Sequence, residues 1–292
     1  MTKTINYLIQ TIIIYLFFII GRIIGITLSR KIFSYLFVSL GPLFKSKKII
    51  EKNLNIFSQN KSEINKNEII MNMWRNYGMT FIEYIFLDKF RKKNSHIEIK
   101  GEEHLINIKK DKPAIFISGH FANFELMSME ITKKNIDVAT IYRPINNFFL
   151  NPLMEYLRKK YVCRNQIKKG IHGVREAIKY VKKNYSIALM IDQRVSEGKK
   201  INFFNQPALT TTLPAQIAMK FNLEIIPVFI ERTKKNKFII EFQEAIDVKK
   251  YENKLKLTSE LNRILEKMIT KNPNQWITKP SLLSIVLPPC WR

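Results

Sequence analysis

Residues 4–21, TINYLIQTIIIYLFFIIG, run for eighteen positions without a single charge. As an α-helix rising ~1.5 Å per residue, such a segment is about 27 Å long, just enough for the hydrocarbon core of a bilayer. A cleaved leader is the main rival. Its basic region would rest on Lys3 alone, and Arg22 and Arg30 stand where a small-x-small cleavage site would be expected. A hydrophobic helix lying in the interface or packed in the core is the other alternative. The expectation is an uncleaved anchor over residues 1–30. Arg22, Arg30, Lys31, Lys45, Lys47 and Lys48 follow the span, whereas only Lys3 and the terminal amine precede it. The positive-inside rule then predicts a single pass with the main domain in the cytoplasm. Residues 32–44, IFSYLFVSLGPLF, are again apolar but short for a second span, and they read as a surface-lying or re-entrant piece.

Residues 31–94 read as a membrane-proximal helical region. Within it, 58–68 is polar and loop-like, and 69–87 is a dense apolar helix. Arg75 and Glu83 interrupt that helix, which suits a core helix better than a second anchor. From residue 95 to 292 the pattern changes. The runs 97–101, 114–119, 137–142, 186–191, 225–230 and 237–242 are short and rich in β-formers. Amphipathic stretches such as NFELMSMEITKK, IHGVREAIKYVKK and LPAQIAMKF separate them. This alternation predicts an α/β domain, a central mixed sheet flanked by helices. Catalytic residues of such folds tend to lie just past the carboxyl ends of strands.

The 292-residue chain carries 49 Lys+Arg against 24 Asp+Glu, a formal charge of +25. Such a surface attracts polyanions: nucleic acid, anionic headgroups, phosphorylated glycolipids or acidic carrier proteins. No zinc-finger, RNP or helix-turn-helix signature supports nucleic acid, and an anchored protein fits it poorly. Cys163 and Cys290 fit no metal spacing and no disulfide framework, so a reducing compartment and no metal are expected.

The strand PAIFISG runs directly into His120-Phe-Ala-Asn-Phe-Glu125. A histidine can take a proton from an attacking hydroxyl near neutral pH, and a carboxylate on its far nitrogen fixes the tautomer and stabilises the imidazolium. The substrate's own hydroxyl would be the nucleophile. The spacing alone is weak, and a structural histidine capping the next helix is the bland alternative. His96, His104 and His172 have no acid at the fifth following position, and only His120 follows an apolar strand and a glycine.

Five ordered blocks then carry a resemblance: ISGHFANFE, IYRP (141–144), MIDQR (190–194), FF-x-x-PA-x-T (203–210) and IIPVFIER (225–232). Over residues 70–276 the chain resembles the late acyltransferases of lipid A biosynthesis, within the larger lysophospholipid (glycerolipid) acyltransferase group. The resemblance implies that type of fold. It also implies transfer of a lauroyl- or myristoyl-like chain from acyl-acyl carrier protein to a hydroxyl of a phosphorylated glucosamine disaccharide, at the cytoplasmic face of the bacterial inner membrane. The carrier protein would be a co-substrate, and no cofactor is implied. By the same resemblance His120 is the general base and Glu125 its orienting partner. Arg143 binds a phosphate or the carbonyl oxygen, for which a guanidinium fork is suited. Arg158 and Arg164 match more loosely as holders of lipid phosphates, and Asp192, Gln193 and Arg194 line the cleft from a strand end. A capping role for Asp192 is an alternative, and Phe203 and Phe204 pack the acyl channel or the core. The chain departs from the family after Gln275-Trp276, where ITKPSLLSIVLPPCWR replaces the usual basic, Trp-rich tail. Two other functions stay open: transfer to a lysophospholipid or another glycolipid, and non-catalytic binding of lipid or polyanion at a membrane.

Overall fold

A computed structural model describes residues 2–44, 54, 65–106, 108, 112–193, 195 and 197–276. The departing tail, Arg194 and most of the loop assigned to 58–68 lie outside the described residues.

The apolar N-terminal region forms α1 (Thr2–Phe44), which breaks at Gly25, where φ is 80° and ψ 165°. Only glycine takes that conformation without strain. The break is sharp. Phe17 and Phe33 would lie about 24 Å apart along a straight helix, yet their ring centroids are 5.4 Å apart. Ser29 Oγ donates to both Gly21 O at 2.8 Å and Gly25 O at 2.7 Å, closing the bend. The first arm runs along the folded domain. Near its start, Asn147 Nδ2 donates to Tyr7 O and Thr11 Oγ1 to Asn147 Oδ1; farther on, Arg22 pairs with Asp88. Its other face, including Ile5, Ile9, Ile12, Leu16, Ile19 and Ile23, is exposed. The second arm, which holds residues 32–44 expected to be surface-lying or re-entrant, packs with the first against α2.

α2 (Lys66–Glu83) starts at the N-cap Asn65, whose side chain accepts from Glu68 N. It packs as a core helix. Phe81 meets Phe18, Phe33 and Phe37 of α1, and Gly78 lets the two backbones touch, since a Cβ there would collide with Phe33 O. A 3₁₀ turn (Tyr84–Phe86) and α3 (Leu87–Lys92) lead into the α/β domain.

That domain comprises β1 (Ile97–Lys100), β2 (Ile115–Ser118), α4 (Glu125–Lys133), β3 (Val138–Tyr142), α5 (Asn151–Leu157), β4 (Asn165–Lys168), α6 (Ile171–Val181), β5 (Ser186–Met190), β6 (Lys199–Phe203), β7 (Gln206–Thr210), α7 (Leu213–Phe221), β8 (Ile225–Arg232), β9 (Phe238–Phe242) and α8 (Lys254–Lys271). Seven strands form one sheet in the order β1-β9-β8-β2-β5-β3-β4. Every neighbouring pair is parallel except β8–β9. The sheet is therefore mixed, as expected. Its central strands β2, β5 and β8 are buried nearly throughout, which explains their unbroken apolar runs. β6 and β7 form a separate hairpin closed by Phe204 and Asn205, both at positive φ.

Candidate active site

The strand register puts the two central residues together. β2 and β5 are parallel, with Ser118 opposite Met190. The ladder continues one step as Ile191 N donates to Ser118 O. Two residues past each paired position stand His120 and Asp192. His120 Nδ1 lies 2.6 Å from Asp192 Oδ1, and the His120 backbone N–H donates to Asp192 Oδ2 at 2.8 Å. Trp276 Nε1 donates to that same oxygen at 3.0 Å. With Asp192 accepting on that side, Nδ1 carries the proton and Nε2 keeps its lone pair. Gln193 Nε2 sits 2.9 Å from that Nε2. The edge of the Phe124 ring packs against the imidazole, whose side chain keeps 12% of its surface open.

Burial opposes ionisation of Asp192. The facing imidazole, the His120 backbone N–H and the Trp276 indole outweigh it and hold the carboxyl below the ordinary aspartate range. The acid is thus a fixed anion behind the ring, with three donors on two oxygens.

Glu125 is elsewhere, and the expected His120–Glu125 pairing is corrected here. Between them the chain turns through Ala122, at φ 42°, and enters α4 with Glu125 in its first turn. The carboxylate is taken up by other partners. It accepts from Tyr84 Oη at 2.5 Å and from Arg158 Nε at 2.8 Å. The four residues between them permit a return contact but do not compel one, whereas the parallel ladder delivers Asp192 directly.

Arg158, expected to hold lipid phosphate, is instead taken up in the same cluster. Its guanidinium is buried, bonded to Glu125 and to Tyr84 Oη, and faces the rings of Tyr84 and Tyr142. Burial works against its charge, but Glu125 and Tyr84 outweigh it and raise its pKa. Burial and the adjacent Glu125 push the Tyr84 hydroxyl up, so it stays protonated as a donor. Arg158 begins a π-helical turn (Arg158–Val162) at the end of α5.

The remaining candidates divide. Arg143 follows the carboxyl end of β3 and is exposed, and Arg164 is exposed before β4. Gln193 joins the His120 cluster, and Arg194 lies outside the described residues. Phe203 is wholly buried and meets Trp276 edge-on, and Phe204 N donates to Glu266 Oε1.

Trp276 was missed as a site residue, although its pairing with Gln275 marks it in the sequence. Gln275 bonds the β8 backbone on both sides of its amide, to Arg232 N and Arg232 O. Its own carbonyl accepts from Ala122 N. The pair thereby ties the segment after α8 to β8 and to the loop after His120, and seats the indole on Asp192. Among the described residues no group of three His, Cys, Asp or Glu side chains gathers as metal ligands do.

The bacterial lipid A biosynthesis acyltransferase family profile matches residues 2–278. A search of curated protein sequences finds no match. Among solved structures, the 1-acyl-sn-glycerophosphate (LPA) acyltransferase PlsC from Thermotoga maritima is similar at 16% identity and a TM-score of 0.40, over 86% of this chain and 100% of that one. On the extent of the profile match, the chain belongs to the bacterial lipid A biosynthesis acyltransferases, enzymes that transfer acyl groups to lipid in association with a membrane.

Proposed function

We propose that this enzyme moves a fatty acyl group from acyl-acyl carrier protein to a hydroxyl of a phosphorylated lipid A precursor, with His120 as general base and Asp192 as its orienting carboxylate. The observation that carries this reading is the 2.6 Å contact between His120 Nδ1 and Asp192 Oδ1, which leaves Nε2 as the basic nitrogen of a partly open ring. Nε2 takes the proton of the acceptor hydroxyl as its oxygen attacks the thioester carbonyl. A C–O bond forms, the C–S bond breaks, and the imidazolium returns the proton to the departing sulfur. Asp192 stays ionised and steadies the imidazolium. In this reading the acceptor hydroxyl displaces Gln193 from Nε2, and the freed amide donates to the carbonyl oxygen as negative charge develops there. The steps assigned to these residues need no cofactor. Exposed Arg143 and Arg164 and the net charge of +25 supply attraction for an acidic carrier protein and for lipid phosphates.

For location, we propose the cytoplasmic face of the inner membrane. The sequence alone led to a single pass. The fold-back at Gly25, with the first arm held along the domain at both Tyr7 and Arg22, favours lateral immersion of the outward apolar faces of α1 instead. A lysophospholipid acceptor would use the same imidazole. Mass spectrometry of lipid A and phospholipids from cells lacking and regaining the gene separates the two.

The direct test is transfer of a labelled acyl chain by detergent-solubilised protein. His120→Ala and Asp192→Asn should each lower kcat by ~10²-fold or more. Wild-type turnover in His120→Ala would leave a non-catalytic lipid-binding role as the better account.

A further inference from the structure

One buried carboxylate links the membrane-associated helix to the loop that follows His120. Glu83, at the end of α2, is fully buried. Its Oε1 receives Arg30 Nε of the second arm of α1 at 2.6 Å and is shared with Arg232 Nη1 of β8. Its Oε2 accepts from Arg232 Nη2 at 3.0 Å and from Asn123 Nδ2 at 2.9 Å. Arg232 also reaches Asn76 and Thr80. Thr80 Oγ1 in turn donates to Ala122 O at 2.9 Å, and Ala122 N donates to Gln275 O. Four elements thus converge on the two residues, Ala122 and Asn123, that follow His120-Phe121. Ala122 sits at φ 42°, a conformation alanine does not favour, so neighbours have to hold it there.

The charge balance singles out Arg30. Glu83 and Arg232 already form a balanced, two-pronged pair. Arg30 adds a second buried cation, and its Nη2 has no hydrogen-bond partner. A surplus buried charge and an unpaired donor both cost stability. The rings of Phe90 and Phe238, 5.7 and 5.8 Å from the guanidinium, offset only part of that cost. What Arg30 does contribute is orientation: it pulls on one oxygen of a carboxylate whose other oxygen holds Asn123.

We propose that Arg30 is a positioning residue through which seating of the second arm of α1, beyond the Gly25 bend, sets the loop beside His120. This rests on the acyl-transfer reading of that site. Because Arg232 still balances Glu83, Arg30→Gln should fold.

The experiment compares the full-length wild type, Arg30→Gln, Arg30→Lys, Asn123→Ala and Arg22→Gln. Arg22→Gln is the control, because Arg22 lies on the same helix and pairs with Asp88 at the surface. Steady-state kinetics with labelled acyl-acyl carrier protein are read beside thermal melting, binding to phosphatidylglycerol–phosphatidylethanolamine vesicles, and hydrogen exchange at residues 121–124. Arg30→Gln is expected to lower kcat ~10–100-fold, the scale of a small misplacement of a catalytic group, with KM within ~2-fold. Vesicle binding should be retained and loop exchange should rise. Arg30→Lys should restore part of kcat, Asn123→Ala should repeat the loss from the loop side, and Arg22→Gln should behave as wild type. Wild-type kcat and loop exchange in Arg30→Gln would overturn the proposal, as would a loss carried by KM or shared equally by Arg22→Gln. If Arg30→Gln does not fold, Asn123→Ala decides: its kcat loss supports the linkage and its wild-type rate overturns it. A wild type that transfers no acyl group would sink the functional reading instead, leaving hydrogen exchange in the variants to judge the linkage.

Discussion

Two kinds of buried carboxylate meet at the loop from His120 to Glu125 in this enzyme. Asp192 faces an imidazole, an indole and a backbone N–H. Glu83 and Glu125 face guanidinium groups. The difference lies in what each partner can do next. An imidazole backed by an anion can gain and lose a proton at neutral pH. A guanidinium cannot, because it stays charged. One arrangement suits proton transfer, and the other fixes elements in place. Sequence spacing made Glu125 look like the first kind, and its neighbours make it the second.

The largest expected effect breaks the second kind. Glu83→Ala strands Arg30 and Arg232 as buried, uncompensated cations. Removing one partner of a buried pair costs about 3–5 kcal/mol, and here two cations lose their anion. We expect a protein that fails to accumulate folded, read by expression and circular dichroism. A stable, cooperatively melting Glu83→Ala would mean that the cluster contributes little to the fold.

Glu125→Ala comes next and sharpens the contrast with Asp192. It leaves Arg158 with only Tyr84 and aromatic faces, and about 3 kcal/mol of stability should go. Asp192→Asn keeps the shape of the site but turns one accepting oxygen into a donor, so it should lose turnover with a smaller fall in melting temperature than Glu125→Ala. Glu125→Gln should retain more turnover than Asp192→Asn. The reverse order in a side-by-side assay would return Glu125 to the chemistry.

Much of the fold could be read in the sequence because its central strands advertise themselves. AIFISG, SIALMI and IIPVFI are buried on both faces at the centre of the sheet, and each reads as an apolar run. The hairpin β6–β7 was not read as strands. Its two-residue turn is Phe204-Asn205, both at positive φ, rather than the Asn-Gly pair that signals such turns. β4 was missed because NQIK is short and polar and pairs only at the edge of the sheet. His120 was legible because a glycine and a strand end precede it. Its true partner was legible only as a strand-end aspartate, because the pairing depends on the register between β2 and β5 and not on distance along the chain. The bend in α1 hides behind one glycine in an apolar run.

Acid should remove the charge, and the stability it carries, from both kinds of carboxylate. Both Asp192 and Glu83 have carboxyls held below their ordinary range: burial resists this in each case, and His120 or the arginines Arg232 and Arg30 outweigh it. A depressed folded pKa contributes stability that is fully present above the unfolded value, about 3.9 for Asp and 4.3 for Glu. That stability is lost as pH falls through the folded value. Melting temperature should therefore hold near neutrality and drop below about pH 4. The drop should be shallower in Asp192→Asn, which has one such group fewer. An identical acid limb in that variant would contradict the depressed state of Asp192.

The smallest effect tests how firmly Asp192 must be held. Trp276→Phe keeps the ring buried beside Phe203 but removes the indole N–H from Asp192 Oδ2. The carboxylate keeps its bonds to the His120 ring and backbone, so it remains anchored on both oxygens. A hydrogen bond to a charged group contributes about 1.5–3 kcal/mol at most, and the surviving donor on the same oxygen should hold the loss near the low end. We expect a melting-temperature fall of a few degrees and a kcat reduction under ~10-fold, because the imidazole's tautomer is still set. A loss as large as that of Asp192→Asn would show that the histidine contacts alone do not orient the acid. Trp276 would then belong with the reacting pair, as much a part of the site as the strand ends that frame it.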